Sequence, residues 1–143
     1  MPACTCNQSR SVSFDDVFCS PQPVQQPLPV WFSGTLNDRN LRRITSLGDG
    51  WIPIMGATVE DIRKGAGLLR AATGRAVAVQ APLSPVRRDD KSLDIGATMR
   101  QVPELTDAGV TNVYINAATL GRDPAEAAGA LPAALSALKE AST

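Results

Sequence analysis

From residue 30 onward, short apolar runs alternate with longer segments in which apolar residues recur every three or four positions. Short apolar runs are typical of buried strands, and the three-to-four spacing is typical of amphipathic helices. The pattern therefore predicts four strand–helix units. The predicted strands are Val30–Gly34, Trp51–Met55, Ala76–Pro82 and Thr111–Ala118. The predicted helices are 38–47, 58–74, 93–108 and 124–143, and the first three end at Gly48, Gly74 and Gly109.

The four predicted strands are apolar along nearly their whole length rather than at every second position. Such strands are buried on both faces, as in a parallel sheet covered by helices. Right-handed crossovers would bring the carboxyl ends of all four strands to one edge of the sheet, where functional loops of such folds lie. The loops expected at that edge are 33–37, 55–58, 84–92 and 117–123.

The first 29 residues do not follow this rhythm. Residues 1–10 are short, polar and without periodicity, which predicts a disordered leader. Ser11–Phe18 alternates loosely around a pair of aspartates, which predicts a small hairpin turning at Asp15-Asp16. Residues 19–29 include four prolines and predict an extended connector. We therefore divide the chain into a leader, a hairpin with a Pro-rich connector over 11–29, and a folded region over 30–143.

Composition is that of an ordinary soluble globular protein, with 43% hydrophobic and 20% charged residues. The formal net charge is +0, so no charge excess favours nucleic acid or an anionic membrane as a partner. No apolar run approaches the roughly 20 residues of a membrane-spanning helix, and no secretory signal pattern begins the chain. We therefore expect a cytoplasmic protein with neither nucleic-acid nor membrane partners.

The residue types available for chemistry are restricted. The chain has no histidine, which removes the commonest general base and the commonest metal ligand. Cys4, Cys6 and Cys19 are odd in number and lack a Cys-x-x-Cys pair, which argues against a disulfide framework and a zinc site. We predict no metal site and assign no catalytic residue. Any proton transfer would fall to carboxylates, lysines, Tyr114 or a bound cofactor.

The turn after the first predicted strand is the main candidate site. Gly34 would let a ligand approach the backbone, Thr35 and Asn37 offer side-chain donors, and the free N–H groups of a helix start favour an anion. This loop could hold a phosphate group. The alternative is that Asn37 or Asp38 caps the helix and Gly34 only relieves a tight turn. A capping carboxylate at Asp38 would compete with a phosphate for the same donors.

Three other features have simpler explanations than a role in binding. The adjacent Arg42 and Arg43 point about 100° apart on a helix, and we interpret them as solvated surface charge. Residues 87–91 form a mixed-charge loop, Arg-Arg-Asp-Asp-Lys, that could touch a substrate or neutralise itself at the surface. Tyr114 alternates with apolar neighbours in the fourth strand, which predicts a packed tyrosine with a satisfied hydroxyl rather than a catalytic one.

Two stretches of the sequence resemble those of a known family. The connector "PQPVQQPLPVW" (21–31) and the following "LGDGW" (47–51) resemble the luciferase-like monooxygenase family, which comprises flavin enzymes and relatives that use coenzyme F420. The resemblance covers roughly residue 11 to the C-terminus. It implies an α/β fold of the (β/α)8 TIM-barrel type, of which this chain would supply about four parallel βα units corresponding to strands 5–8.

The resemblance also implies a cofactor and a function. Relatives place the FMN or coenzyme F420 phosphate near the loop after the fifth strand, which carries a cofactor-binding role onto Ser33, Gly34, Thr35 and Asn37. The implied function is that of a C-terminal half of a flavin- or F420-dependent oxidoreductase or monooxygenase. The first barrel half and its histidine have no counterpart here, so the chain resembles a truncated reading frame and the isolated chain is expected to be inactive.

A half-barrel predicts an association surface. Its inward sheet face would lie uncovered and both edge strands would be unpaired, whereas soluble monomers rarely expose large apolar patches. We therefore expect a homo-oligomer or a complex with a separate N-terminal barrel half. The alternative function is a non-catalytic remnant or assembly module that binds a partner chain through this open face.

Overall fold

The computed structural model describes residues 5–17, 21 and 23–142. Within them, strands and helices alternate from residue 31 onward, after an N-terminal pair of strands. The strands are β1 (Thr5–Gln8), β2 (Ser13–Val17), β3 (Trp31–Ser33), β4 (Gly50–Ile52), β5 (Ala78–Pro82) and β6 (Asn112–Tyr114). The helices are α1 (Asp38–Leu47), α2 (Val59–Thr73), α3 (Ile95–Met99), α4 (Val102–Asp107) and α5 (Pro124–Ala141), with a short 3-10 turn at Ala117–Thr119.

The main sheet has the order β3-β4-β5-β6, and each neighbouring pair is parallel. Strands that follow one another along the chain are therefore also neighbours in space. Because parallel crossovers share one hand, this order places all the connecting helices on one face of the sheet. The predicted parallel α/β fold is confirmed.

The two faces of the sheet differ in burial. Paired residues share a face, and the row Phe32, Trp51 and Val79 points at the helices. Trp51 and Val79 are buried there, in one cluster with Ile62 and Leu69 of α2. Among the described residues, no helix lies over the opposite face, and we call it the open face. Its side chains are those of Trp31, Ser33, Ile52, Ala78, Gln80, Pro82, Asn112 and Tyr114.

One row of the open face, at the amino ends of the strands, combines one large residue with two small ones; we call it the lowest row. Trp31, Gly50 and Ala78 lie side by side on β3, β4 and β5. The Trp31 indole lies across Gly50, because a Cβ placed on Gly50 would come within 2.6 Å of its Cζ3 atom. Gly50 is accordingly buried although no helix covers this face. One large residue thus covers the small residue beside it.

Local capping explains why α2 forms where the sequence predicts it. Thr58 is the N-cap, and its hydroxyl oxygen accepts from the Asp61 N–H at 3.2 Å. Asp61 returns the contact, because its carboxylate accepts from the Thr58 N–H at 3.0 Å and from the Thr58 hydroxyl at 2.6 Å. Gly74 ends the helix at a positive φ of 62°, a conformation that favours glycine.

The capping box yields a first prediction. Thr58→Ala is expected to lower the free energy of unfolding by about 1 kcal/mol, because the first turn of α2 loses its side-chain partner. Ser136→Ala, at an exposed position inside α5, is the matched control and is expected to change little. Chemical denaturation of both variants measures the difference. Equal effects of the two substitutions would contradict the capping assignment.

The same box makes this contribution pH-dependent. Hydrogen bonds from the Thr58 hydroxyl, and then from its backbone N–H, hold the pKa of the Asp61 carboxyl below its ordinary value. A carboxyl whose pKa is lowered by folding stabilises the fold above the unfolded-state pKa and loses that contribution as pH falls through the folded-state pKa. The stability gap between the native chain and Thr58→Ala should therefore shrink in acid below about pH 4.

The predicted single helix over 93–108 is wrong in its continuity. The structure has α3 and α4 instead, separated at Arg100 and Gln101. Pro103 explains the break, since its ring removes a backbone donor and would clash with the carbonyl four residues earlier in a continuous helix. Proline is tolerated in the first turn of a new helix, which is where α4 places it.

Several strands are shorter than predicted. β4 ends at Ile52, because Pro53 has no N–H to continue the ladder. β6 ends at Tyr114, and the predicted extension to 118 instead contains the 3-10 turn, which Asn116 caps through its side chain. The carboxyl ends of the strands nevertheless meet at the same edge, as the parallel order requires.

The N-terminal region also differs from its prediction. β1 and β2 form an antiparallel hairpin, with Gln8 opposite Ser13. The turn lies at Ser9–Val12, where the Ser9 hydroxyl donates to the Val12 carbonyl at 2.9 Å. Asp15-Asp16 therefore belongs to a strand rather than to the turn, and residues 5–8 belong to a strand rather than to a disordered leader. The remainder of that leader, residues 1–4, lies outside the described residues.

Candidate functional site

The loop after β3 begins with a glycine whose backbone is fully used. The Gly34 N–H donates to the Ile52 carbonyl at 3.0 Å, which extends the pairing of β3 with β4 by one residue. The Gly34 carbonyl accepts from the Trp51 indole Nε1–H at 2.8 Å. The Gly34 φ of 120° lies in the region that side chains disfavour. The turn is therefore fixed to the core by two hydrogen bonds.

Asn37 closes the loop by capping α1. Its side-chain Oδ1 accepts from the Asn40 N–H at 2.9 Å, while the Asn40 side chain donates to the Thr35 carbonyl at 2.8 Å. The capping alternative for this position therefore holds, with Asn37 as the cap and Asp38 as the first helical residue. Asp38 therefore does not cap the helix, and its carboxylate does not compete in that way with a phosphate.

Three neutral side-chain donors remain at this corner. The hydroxyls of Ser33 and Thr35 and the amide Nδ2 of Asn37 make no hydrogen bond with any part of the chain that the structure describes, and all three residues are exposed. The predicted residues Ser33, Gly34, Thr35 and Asn37 thus lie together at the carboxyl edge of the sheet.

A cavity of about 400 Å³ opens beside this loop. It lies between the loop and the first turns of α2, and most of its lining is apolar. Its polar and charged members are Thr35, Asp61 and Lys64. Its apolar members include Leu36, Trp51, Pro53, Ile54, Met55 and Leu68. Sequence reasoning missed Lys64 as a neighbour of the loop, because the two lie far apart along the chain and meet only in the folded structure.

The charges at the rim of this cavity nearly cancel. Lys64 Nζ lies 3.7 Å from a Glu60 carboxylate oxygen, and Glu60 is also paired with Arg63 at 2.9 Å. The Asp61 carboxylate is ionised at neutral pH, and the Thr58 hydroxyl lowers its pKa below the ordinary value. A ligand at this corner would therefore meet neutral donors from the loop and a balanced ion-pair cluster from α2.

Side chains of the loop at 87–91 are held mainly by groups within or next to the loop. Arg88 Nε lies 3.6 Å from the Asp94 carboxylate, and the Asp90 carboxylate accepts from the Ser92 backbone N–H at 2.9 Å. Arg87 donates to the backbone carbonyl of Lys91 at 3.0 Å. These contacts support the surface-charge interpretation of this loop. Arg42 and Arg43 are both exposed on α1, in agreement with theirs.

Tyr114 is not packed as predicted. Its side chain lies on the open face and is 43% exposed. The prediction assumed that both faces of the fourth strand would be covered, whereas the helices cover only one.

Cys4 and Cys19 lie outside the described residues, and no group of three or more metal-binding side chains occurs among the residues that the structure describes.

Among the described residues, no helix is both long enough and apolar enough to cross a membrane. No protein-family model matches the chain, and no curated protein matches it. The site and the fold therefore carry the functional argument.

Proposed function

We propose that this chain supplies four of the eight units of a luciferase-like (β/α)8 barrel, and that its loop at Ser33–Asn37 contacts the phosphate of FMN or coenzyme F420. The complete protein would then be a flavin- or F420-dependent oxidoreductase. One observation carries the proposal: a single loop at the carboxyl edge of a parallel sheet carries three exposed neutral donors that have no partner among the described residues. Ligands of such folds bind at that edge.

The order of the sheet supports the barrel component. Four consecutive strands lie in chain order with helices on one side, which is the arrangement of any four successive units of a (β/α)8 barrel. A doubly wound fold would instead reverse its strand order and place helices on both faces. The uncovered face corresponds to the barrel interior, which is filled by side chains from all eight strands.

The donor set fits a phosphate group. Hydroxyl and amide donors can each give a hydrogen bond to a phosphate oxygen, and Gly34 contributes a corner without a side chain. The loop contains no ionisable side chain, so its role is to bind and orient rather than to transfer a proton. When bound, the cofactor would supply hydride transfer, and the protein would supply position and electrostatics.

Charge placed in the loop tests the cofactor component. Thr35→Glu is expected to weaken FMN or F420 binding at least about tenfold, because a carboxylate would face the phosphate at close range. The Thr35 hydroxyl has no partner among the described residues, so the fold is expected to persist. Ser136→Glu makes the same chemical change on α5 and is expected to leave affinity within about twofold. Fluorescence titration with each cofactor measures both.

Two results of this titration would count against the proposal. One is the absence of binding of either cofactor by the native chain in its assembled state. The other is an equal loss of affinity in Thr35→Glu and Ser136→Glu, which would place the anion elsewhere or show only a general charge effect. Reduced affinity in Thr35→Glu alone supports the loop as the phosphate site.

A second candidate function is a non-catalytic assembly module. The exposed Tyr114 and the uncovered sheet face favour it, because they offer a surface for another chain whether or not a cofactor binds. The two functions separate experimentally. A chain that associates but binds neither FMN nor F420 fits the module, and a chain whose association creates cofactor binding fits the oxidoreductase.

A further inference from the structure

We propose that the open face takes a second copy of this chain, so that two four-stranded sheets close into one eight-stranded parallel barrel. The inference rests on the half-barrel component of the proposed function and needs no cofactor. The interface consists of the open face together with the free edges of β3 and β6. The twofold axis of the dimer would run along the barrel.

Strand direction and order permit this closure. β3 and β6 are the two edges of the main sheet, and each has one hydrogen-bonded neighbour in it. A twofold rotation about an axis along the barrel preserves the direction of every strand. It therefore sets β6 of each copy beside β3 of the other, with both new pairs parallel. β3 and β6 are three residues each, so the two edges match in length.

The chemistry of the open face suits burial against an identical face. It carries no Asp, Glu, Lys or Arg, so burial of this face in a dimer would remove no charged side chain from water. Ile52 and Tyr114 supply apolar area, and the amides of Gln80 and Asn112 can donate and accept across the axis. The formal net charge of +0 adds no long-range repulsion between copies.

Side-chain size also suits two copies. The lowest row of the open face contains one indole, Trp31, beside the small residues Gly50 and Ala78. A twofold ring of this row would contain two indoles separated by small positions. Barrel interiors are commonly filled by such alternation of large and small side chains. A second copy thus supplies both the missing strands and a compatible filling.

Sedimentation velocity of the 143-residue chain without cofactor tests the inference. The native chain is expected to sediment as a dimer of twice its 15.0 kDa mass. Tyr114→Asp places a charge on the open face and should weaken the dimer at least about tenfold. Leu131→Asp is the matched control, because Leu131 has the same exposure of 43% but lies on the helix α5; it should leave the dimer intact.

A second variant guards against misfolding of Tyr114→Asp. Asn112→Asp adds a charge to the open face with almost no change in shape, at an exposed position. It should also weaken the dimer while circular dichroism remains native. Amide hydrogen exchange supplies the geometry: in a closed barrel, amides of both edge strands gain protection as concentration rises through the dimerisation range.

Four results would overturn the proposal. A monomer that melts cooperatively and binds no hydrophobic dye would show that the open face needs no cover. A dimer broken by Leu131→Asp but not by Asn112→Asp would place the interface on the helices. A dimer without edge protection would be a face-to-face stack. A chain that becomes stable only with a separately produced four-unit partner would replace the second copy. None of these results depends on whether FMN or F420 binds.

Discussion

Leu69→Ala is expected to lower the free energy of unfolding by about 2–5 kcal/mol, the largest effect of any substitution proposed here. Leu69 is 1% exposed on the sheet side of α2, in the cluster that includes Trp51 and Val79. Truncation removes the burial of its outer carbon atoms and leaves a cavity that the surrounding helices and strands can fill only in part. Denaturant unfolding at one fixed protein concentration measures the loss.

The preceding residue provides the control. Leu68, at the cavity beside the loop, is 52% exposed, so Leu68→Ala makes the same chemical change with far less buried area lost. Its expected effect is within about 0.5 kcal/mol. Protein concentration must be equal in both experiments, because association stabilises the folded state by mass action. Similar losses at the two positions would show that the packing of α2 is not as described.

Gly65→Ala is expected to destabilise the chain by about 1–3 kcal/mol through overpacking. A Cβ at Gly65 would lie 2.6 Å from Trp51 Cζ3 and 3.0 Å from Leu36 Cδ1. The indole cannot retreat freely, because its Nε1–H is bonded to the Gly34 carbonyl. Relief of the clash therefore requires either a shift of α2 or the loss of that hydrogen bond.

Gly67→Ala should act in the opposite direction. A Cβ at Gly67 has nothing within 4 Å, and alanine is preferred over glycine in a helix interior by up to about 1 kcal/mol. The two substitutions differ only in position on α2, so opposite signs in thermal unfolding would isolate the Trp51 contact. A stabilising Gly65→Ala would contradict the close approach of α2 to β4.

Most of the sheet and three helices follow from the sequence. Asp38–Leu47, α2 and α5 were predicted almost to the residue, because each combines apolar periodicity with a side-chain cap or proline at its start and, in the first two, glycine after its end. The parallel order follows from apolar strands joined by helices. These are local signals that tertiary contacts reinforce rather than override.

The features that the sequence does not predict depend on strand pairing and on which face of the sheet the helices cover. Strand β1 is polar, and its strand conformation depends on pairing with β2. Tyr114 looks like a core residue by alternation, but exposure depends on which face the helices cover. Lys64 and Thr35 line the same cavity only because the fold places the start of α2 beside the loop after β3. Pro103 is a sequence signal for the helix break, because its ring excludes a continuous helix through Met99, whereas apolar periodicity alone predicts one helix.

The bond between the Trp51 indole and the Gly34 carbonyl sets how the corner can respond to a ligand. Mobile lids are held only at distant hinges, whereas this corner is anchored at its first residue by the Trp51 ring, which is 4% exposed. A ligand bound at this corner would therefore meet a preformed loop, and little ordering entropy would be lost on binding. The choice of ligand would then depend on the packing of the interior beneath the corner as much as on the residues that touch the ligand.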